Sequence, residues 1–98
     1  MNKTVLAIAL FIGSVGLVQA DEGKALYDQI CSVCHDEGIA GAPKMGKASD
    51  WEPLLINGVE PVVNTAISGK GAMPPRGGSG ADDATIRAAV EYMLQQST

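Results

Sequence analysis

The hydrophobic positions fall into one continuous stretch at the start and several helix-spaced groups after it. Asn2, Lys3 and Thr4 precede an unbroken apolar run from Val5 to Ile12; Gly13, Ser14 and Gly16 then interrupt it, and Val18-Gln19-Ala20 lead into the polar Asp21-Glu22-Gly23. A short positive region, an apolar core and small residues before a polar boundary are the plan of a secretory signal. The stretch is shorter than the ~20 apolar residues a membrane-spanning helix wants. Residues 1–20 are therefore expected to be a signal peptide cleaved after Ala20, leaving residues 21–98 as one domain.

Within that domain the spacing predicts helices. Asp21 is placed to cap one that runs to about Cys31, with Leu26, Tyr27 and Ile30 on one side. Ser49-Asp50-Trp51-Glu52 reads as a capping box opening a short helix that closes at Asn57-Gly58. Glu60-Pro61 opens another, because proline is favoured at the first helical position, and Gly69 ends it. Asp82 or Asp83 caps the last helix, which reaches about Gln95 and carries Ile86, Ala89, Val90, Met93 and Leu94 at helical spacing. Neither strand-length alternation nor an internal repeat interrupts this pattern. The expected architecture is all-α, about four short helices joined by loops rich in proline and glycine.

Composition changes the picture in two ways. A core built from 78 residues seldom supplies more than roughly 3–5 kcal/mol, so such a domain ordinarily leans on a disulfide, a metal, a cofactor or a partner. One Trp, one Phe and two Tyr are few for a self-sufficient core, and a large flat cofactor would fill the deficit. The formal net charge is −4, and cleavage after Ala20 would remove Lys3 and no acid, making it −5. An acidic chain without a basic stripe argues against nucleic acid and favours basic or locally basic protein partners.

Export also bears on the two cysteines, which an oxidising compartment would pair unless something consumes them. Cys31-Ser32-Val33-Cys34-His35 is the attachment pattern of c-type haem. Residues three and four apart share a helix face, so Cys31 and Cys34 can both reach the vinyl-derived carbons along one haem edge. His35 follows at once and is placed to bind iron on the proximal side. A redox dithiol would call for an α/β pattern around the pair, and a zinc site for a second pair that the chain lacks.

For the second axial position the inventory is short. His35 is the only histidine, so bis-histidine ligation is excluded and methionine becomes the natural donor. Met45, ten residues past His35, sits on a strap too short to wrap easily to the far face. Met93 has the spacing of a core methionine. Met73 lies in Gly69-Lys70-Gly71-Ala72-Met73-Pro74-Pro75-Arg76-Gly77-Gly78, where the glycines allow close approach to a flat surface and the prolines forbid helix. Met73 is thus the expected ligand, against the plainer reading of a loop methionine packed on the haem. Lys70 is a weaker substitute once its amine loses a proton.

Cys31 to His35 together with the Met73-Pro74-Pro75 strap resembles a class I c-type cytochrome, with the small cytochrome c fold around one covalently bound haem. Gly41-Ala42-Pro43-Lys44, the Trp51 region and the closing Arg87-Ala88-Ala89-Val90-Glu91-Tyr92-Met93 are similar to the cytochrome c5 group of bacterial electron carriers. The resemblance spans nearly all of residues 23–95. It implies that the first and last helices cross near Gly23, Tyr27 and Tyr92, and that the Pro43 carbonyl accepts a hydrogen bond from His35 Nδ1. Two readings of Trp51 stand: its indole N–H donates to a haem propionate, or the ring is a core aromatic with its polar edge wet. Several members of the group carry a further Cys-x-x-Cys after the methionine strap, where this sequence has Ser79 and Asp82. Without that bridge the loop is expected to be looser.

Ligands on both faces of iron leave no open position for oxygen or substrate, so the expected function is one-electron transfer rather than catalysis. The chain is expected to be a soluble periplasmic carrier in a respiratory chain, monomeric or weakly dimeric, peripheral to a membrane at most, between a respiratory donor and a terminal oxidase or reductase. Alternatives are a gas-binding or sensing module in which Met73 is displaced, and an electron-delivery subunit of a larger redox enzyme. A peroxidase would need a distal acid/base group, and no second histidine exists. Lys44, Lys47, Lys70 and Arg76 could form a positive rim, though solvated surface charge is the plainer expectation. Intact-mass measurement of protein recovered from the periplasm should show a chain beginning at Asp21 and carrying one haem; a chain retaining residues 1–20 would refute the cleavage site.

Overall fold

A computed structural model describes residues 19–98; the expected signal segment, apart from residues 19 and 20, lies outside the described residues. Helix α1 is followed from residue 19 to residue 35. Asp21 is therefore an interior position of α1 and not its cap, because the helix already runs at residues 19 and 20. Nor does α1 stop near Cys31. Its middle, Tyr27–Cys31, widens into a π turn in which the Ser32 N–H reaches the Tyr27 carbonyl, and regular α-helix resumes over Ser32–His35. That extra residue lets the helix continue through both cysteines to the histidine.

Helix α2, Ala48–Trp51, passes into a 3₁₀ turn over Glu52–Leu55. The expected capping box is not formed. Lys47 occupies the cap position and Ser49 lies inside the helix, while the Asp50 carboxylate accepts the Lys44 N–H at 3.0 Å. Gly58 closes the segment at φ +89°. Helix α3, Glu60–Ser68, starts with Pro61 in its first turn and ends at Gly69, whose φ is +82°. Helix α4, Asp83–Gln95, is capped by Asp82, whose carboxylate accepts the Thr85 N–H at 2.9 Å. That bond holds the Asp82 carboxyl below its ordinary pKa. Among the described residues the only strand-like pairing is an isolated bridge between Lys70 and Met73.

Leu26 and Tyr27 of α1, Trp51 of α2, Val63 and Ala66 of α3, and Ile86, Ala89, Val90 and Met93 of α4 form the buried core. Met93 is 3% exposed, a packing residue. The α1–α4 crossing depends on Gly23: a Cβ there would sit 2.4 Å from the Ala88 carbonyl oxygen. One turn on, the rings of Tyr27 and Tyr92 meet at 5.5 Å with a 52° tilt. Across α3 and α4, Arg87 pairs with Glu60 at 2.6 Å. Among the described residues no helix is long and apolar enough to cross a membrane.

The crossing generates a direct test. Gly23→Ala should destabilise the haem-bound protein by about 1–3 kcal/mol through overpacking, whereas Gly80→Ala, with no atom within 4 Å of the added carbon, should stay within about 0.5 kcal/mol. Denaturant unfolding followed by circular dichroism reads both; equal effects would refute the close approach.

Candidate functional site

The distal half of α1 carries Cys31, half-buried, and Cys34, exposed, and neither is in a disulfide. Burial pushes the Cys31 thiol above its ordinary pKa. His35, the last residue of α1, is buried at 8% exposure. Its Nδ1 lies 2.7 Å from the Pro43 carbonyl oxygen. A carbonyl only accepts, so Nδ1 carries the proton and the lone pair of the neutral ring is on Nε2.

The segment after α1 is fastened residue by residue. Met45 N–H donates to the His35 carbonyl at 2.8 Å, Lys44 N–H to Asp50, and Gly46 N–H to the Ser97 hydroxyl at 2.9 Å. Trp51 Nε1–H donates to the Lys44 carbonyl at 2.9 Å. Trp51 is 3% exposed, and its ring stacks on His35 at 5.9 Å and 23°. Its polar edge is accordingly not wet, and a bond to a propionate would require the Lys44 carbonyl to be given up. On the other flank of α1, Tyr27 Oη donates to Asp36, tying the π turn to the residue after the histidine.

Met73 stands on a separate strap. It is half-buried and packs against the core, and its backbone exchanges two hydrogen bonds with Lys70, at 2.9 and 3.0 Å. Gly69 makes that tight return possible: a Cβ at its positive φ would sit 2.8 Å from the Met73 carbonyl oxygen and 2.7 Å from Pro75 N. A 3₁₀ segment, Pro75–Gly78, follows and packs on the Tyr27–Cys31 turn. Gly77 lies against Ile30 of that turn. Met45 also packs on the core, but its backbone is tied to His35 itself.

Sequence reasoning missed the ties of the strap. Arg76 holds a left-handed backbone at φ +57°, pairs with Asp83 at 2.6 Å and donates to the Ala81 carbonyl at 2.9 Å. Ser79 Oγ donates to the Arg76 carbonyl at 2.8 Å. The loop without a second Cys-x-x-Cys is thus clipped by polar contacts and not left untied. Arg76 and Lys47 are both paired, the latter with Asp50 at 3.7 Å, so the four suggested cations do not form an uncompensated positive rim. Of the residues expected at the site, the structure brings Cys31, Cys34, His35, Pro43 and Trp51 together, and carries Met73 on the strap packed against the same helix.

This donor set suits an iron porphyrin. Two unpaired thiols stand three residues apart on one helix, next to a buried imidazole whose Nε2 is free of the Pro43 bond, and a thioether is carried on the Lys70–Met73 strap that precedes the 3₁₀ segment. Residues 18–93 match the family model described as "Cytochrome C oxidase, cbb3-type, subunit III". The chain is 40% identical to cytochrome c-555 of Chlorobaculum tepidum over 99% of its own length and 95% of that protein. It is 36% identical to cytochrome c5 of Ectopseudomonas mendocina over 64% of its length and 76% of that protein. Among solved structures it resembles a chain of an electron transfer complex of nitrite reductase with cytochrome c: 49% identity, TM-score 0.75, 79% of this chain and 95% of that one. The helical fold and the site thus define a small class I cytochrome. The chain belongs to the c-type cytochrome family, as an electron carrier of the c-555 and c5 kind with covalently attached haem.

Trp51→Phe should preserve the stacking on His35 while removing the indole donor from the Lys44 carbonyl, which keeps the Lys47 N–H at 3.1 Å. It should lower unfolding free energy by about 0.5–1.5 kcal/mol, measured by denaturant titration; an unchanged midpoint would refute the importance of the indole bond.

Proposed function

We propose that this cytochrome is an exported, periplasmic one-electron carrier of a respiratory chain, with residues 1–20 removed and iron held by His35 Nε2 and Met73 Sδ. The observation that carries the reading is the orientation of His35: the Pro43 carbonyl takes the Nδ1 proton, leaving one nitrogen lone pair beside the two attachment cysteines. Bound haem supplies the ferric/ferrous couple. The chain does the rest: Pro43 strengthens the imidazole as a donor, Trp51 supports its face, and Met73 would supply the thioether as the second donor. A thioether favours the ferrous state and raises the reduction potential.

The surface around the two attachment cysteines would be the contact side for electron transfer. Cys34 is exposed, and beside it Val33 is 69% and Ile39 50% exposed, an apolar margin suited to brief docking. With a formal charge of −4, and −5 once residues 1–20 are removed, the surface favours a partner whose docking face is basic. A terminal reductase or oxidase fits. The nitrite reductase captured with a 49% identical cytochrome supports an acceptor of that class.

Met73→Ala tests the ligand set. The potential should fall by on the order of 0.1–0.3 V, within the ~0.8 V that axial ligands span, and the ferrous protein should bind carbon monoxide. Spectroelectrochemistry and reduced-minus-carbonyl spectra measure this; an unchanged thioether spectrum in the variant would eliminate Met73. Ready binding of carbon monoxide by the wild type would favour the gas-sensing alternative.

A further inference from the structure

Ser97 lies just past α4, and it is buried at 4% exposure. Its hydroxyl donates to the Met93 carbonyl at 2.6 Å and accepts the Gly46 N–H at 2.9 Å, a contact 51 residues away in sequence. The end of α4 does not need this side chain. Gln96 N–H already reaches the Tyr92 carbonyl and Ser97 N–H the Leu94 carbonyl, both at 3.1 Å. What the hydroxyl adds is a tie from α4 to the loop around His35. Gly46 directly follows Met45, whose N–H holds the His35 carbonyl, and lies three residues beyond Pro43, whose carbonyl holds Nδ1. Gly46 itself has φ +93°, a left-handed backbone turn that glycine adopts readily.

We propose that Ser97 is a positioning residue for the iron ligand: through Gly46 it sets how tightly the Pro43 carbonyl is held on the imidazole N–H, and so how strongly His35 donates. The inference rests on His35 being the proximal ligand, as proposed above. A buried hydroxyl that bonds in both directions fixes both partners. Without it the Gly46 N–H, on an exposed residue, turns to water, and the loop loses its tie to the end of α4 and is held less closely against the ring. A longer Nδ1–H···O bond leaves the imidazole less anionic, stabilises ferric iron less, and raises the potential.

The test uses the haem-bound protein with Ser97→Ala, Ser97→Gly and Ser97→Thr. In the reduced protein, nuclear magnetic resonance follows exchange of the His35 Nδ1 proton, with the slow amides of α3 as an internal reference; spectroelectrochemistry gives the potential. Ser97→Ala and Ser97→Gly should each speed Nδ1–H exchange about fivefold or more and shift the potential upward, while α3 amides are unchanged. Ser97→Thr, which keeps the hydroxyl, should restore both readouts. Unchanged Nδ1–H exchange and potential in Ser97→Ala and Ser97→Gly would overturn the proposal even if the melting temperature falls, and so would a uniform acceleration across α3 and α4. A wild type whose spectrum lacks histidine-ligated low-spin haem would instead remove the ligand assignment, and this inference with it.

Discussion

The hydrogen bond from His35 Nδ1 to the Pro43 carbonyl is the contact on which the site is organised. An imidazole free to turn about its side-chain bonds offers either nitrogen, and in water it would sample both tautomers. Here the ring is buried, one nitrogen is held by a carbonyl, and one face is covered by Trp51. Four consecutive residues, 43–46, carry partners that point back to α1, α2 and the end of α4. The loop is irregular, yet its position is fixed from three sides.

The same economy shapes the core. Phe11 lies in the expected signal segment, so the domain from residue 21 holds three aromatic side chains. Tyr27 and Tyr92 seal the α1–α4 crossing, and Trp51 lies against the histidine. No further aromatic is left to the domain from residue 21. A bound apolar macrocycle would do for this small domain what additional aromatic packing does in larger ones.

Much of this was legible in the sequence wherever the cause is local. The haem motif, the Pro61 start and Gly69 stop of α3, and the Asp82 cap of α4 each depend on residues within one or two turns. Reading failed where distant groups decide. The Ser49 box lost to a loop in which Asp50 is needed by Lys44, and α1 ran past Cys31 because a π turn accommodated the residues that follow. The Ser97–Gly46 tie had no local signal at all. Pro43 was named through family likeness, since nothing in its neighbours announces a carbonyl aimed at a ring eight residues earlier. Asp83 was read only as a possible cap, although its first-turn position also puts it within reach of Arg76.

The clip made by Arg76, Asp83 and Ser79 has a consequence for the medium in which the protein works. A covalent sulfur bridge in that loop would be indifferent to ions and vulnerable to thiols; a guanidinium–carboxylate contact has the opposite sensitivities. With Arg76 one-third exposed and Asp83 71% exposed, dissolved electrolyte weakens their attraction, and the burden of keeping the Met73 strap closed passes to Gly69 and the paired prolines. The ionic part of this clip is therefore sensitive to salinity, while thiols find no bridge in the loop to cleave.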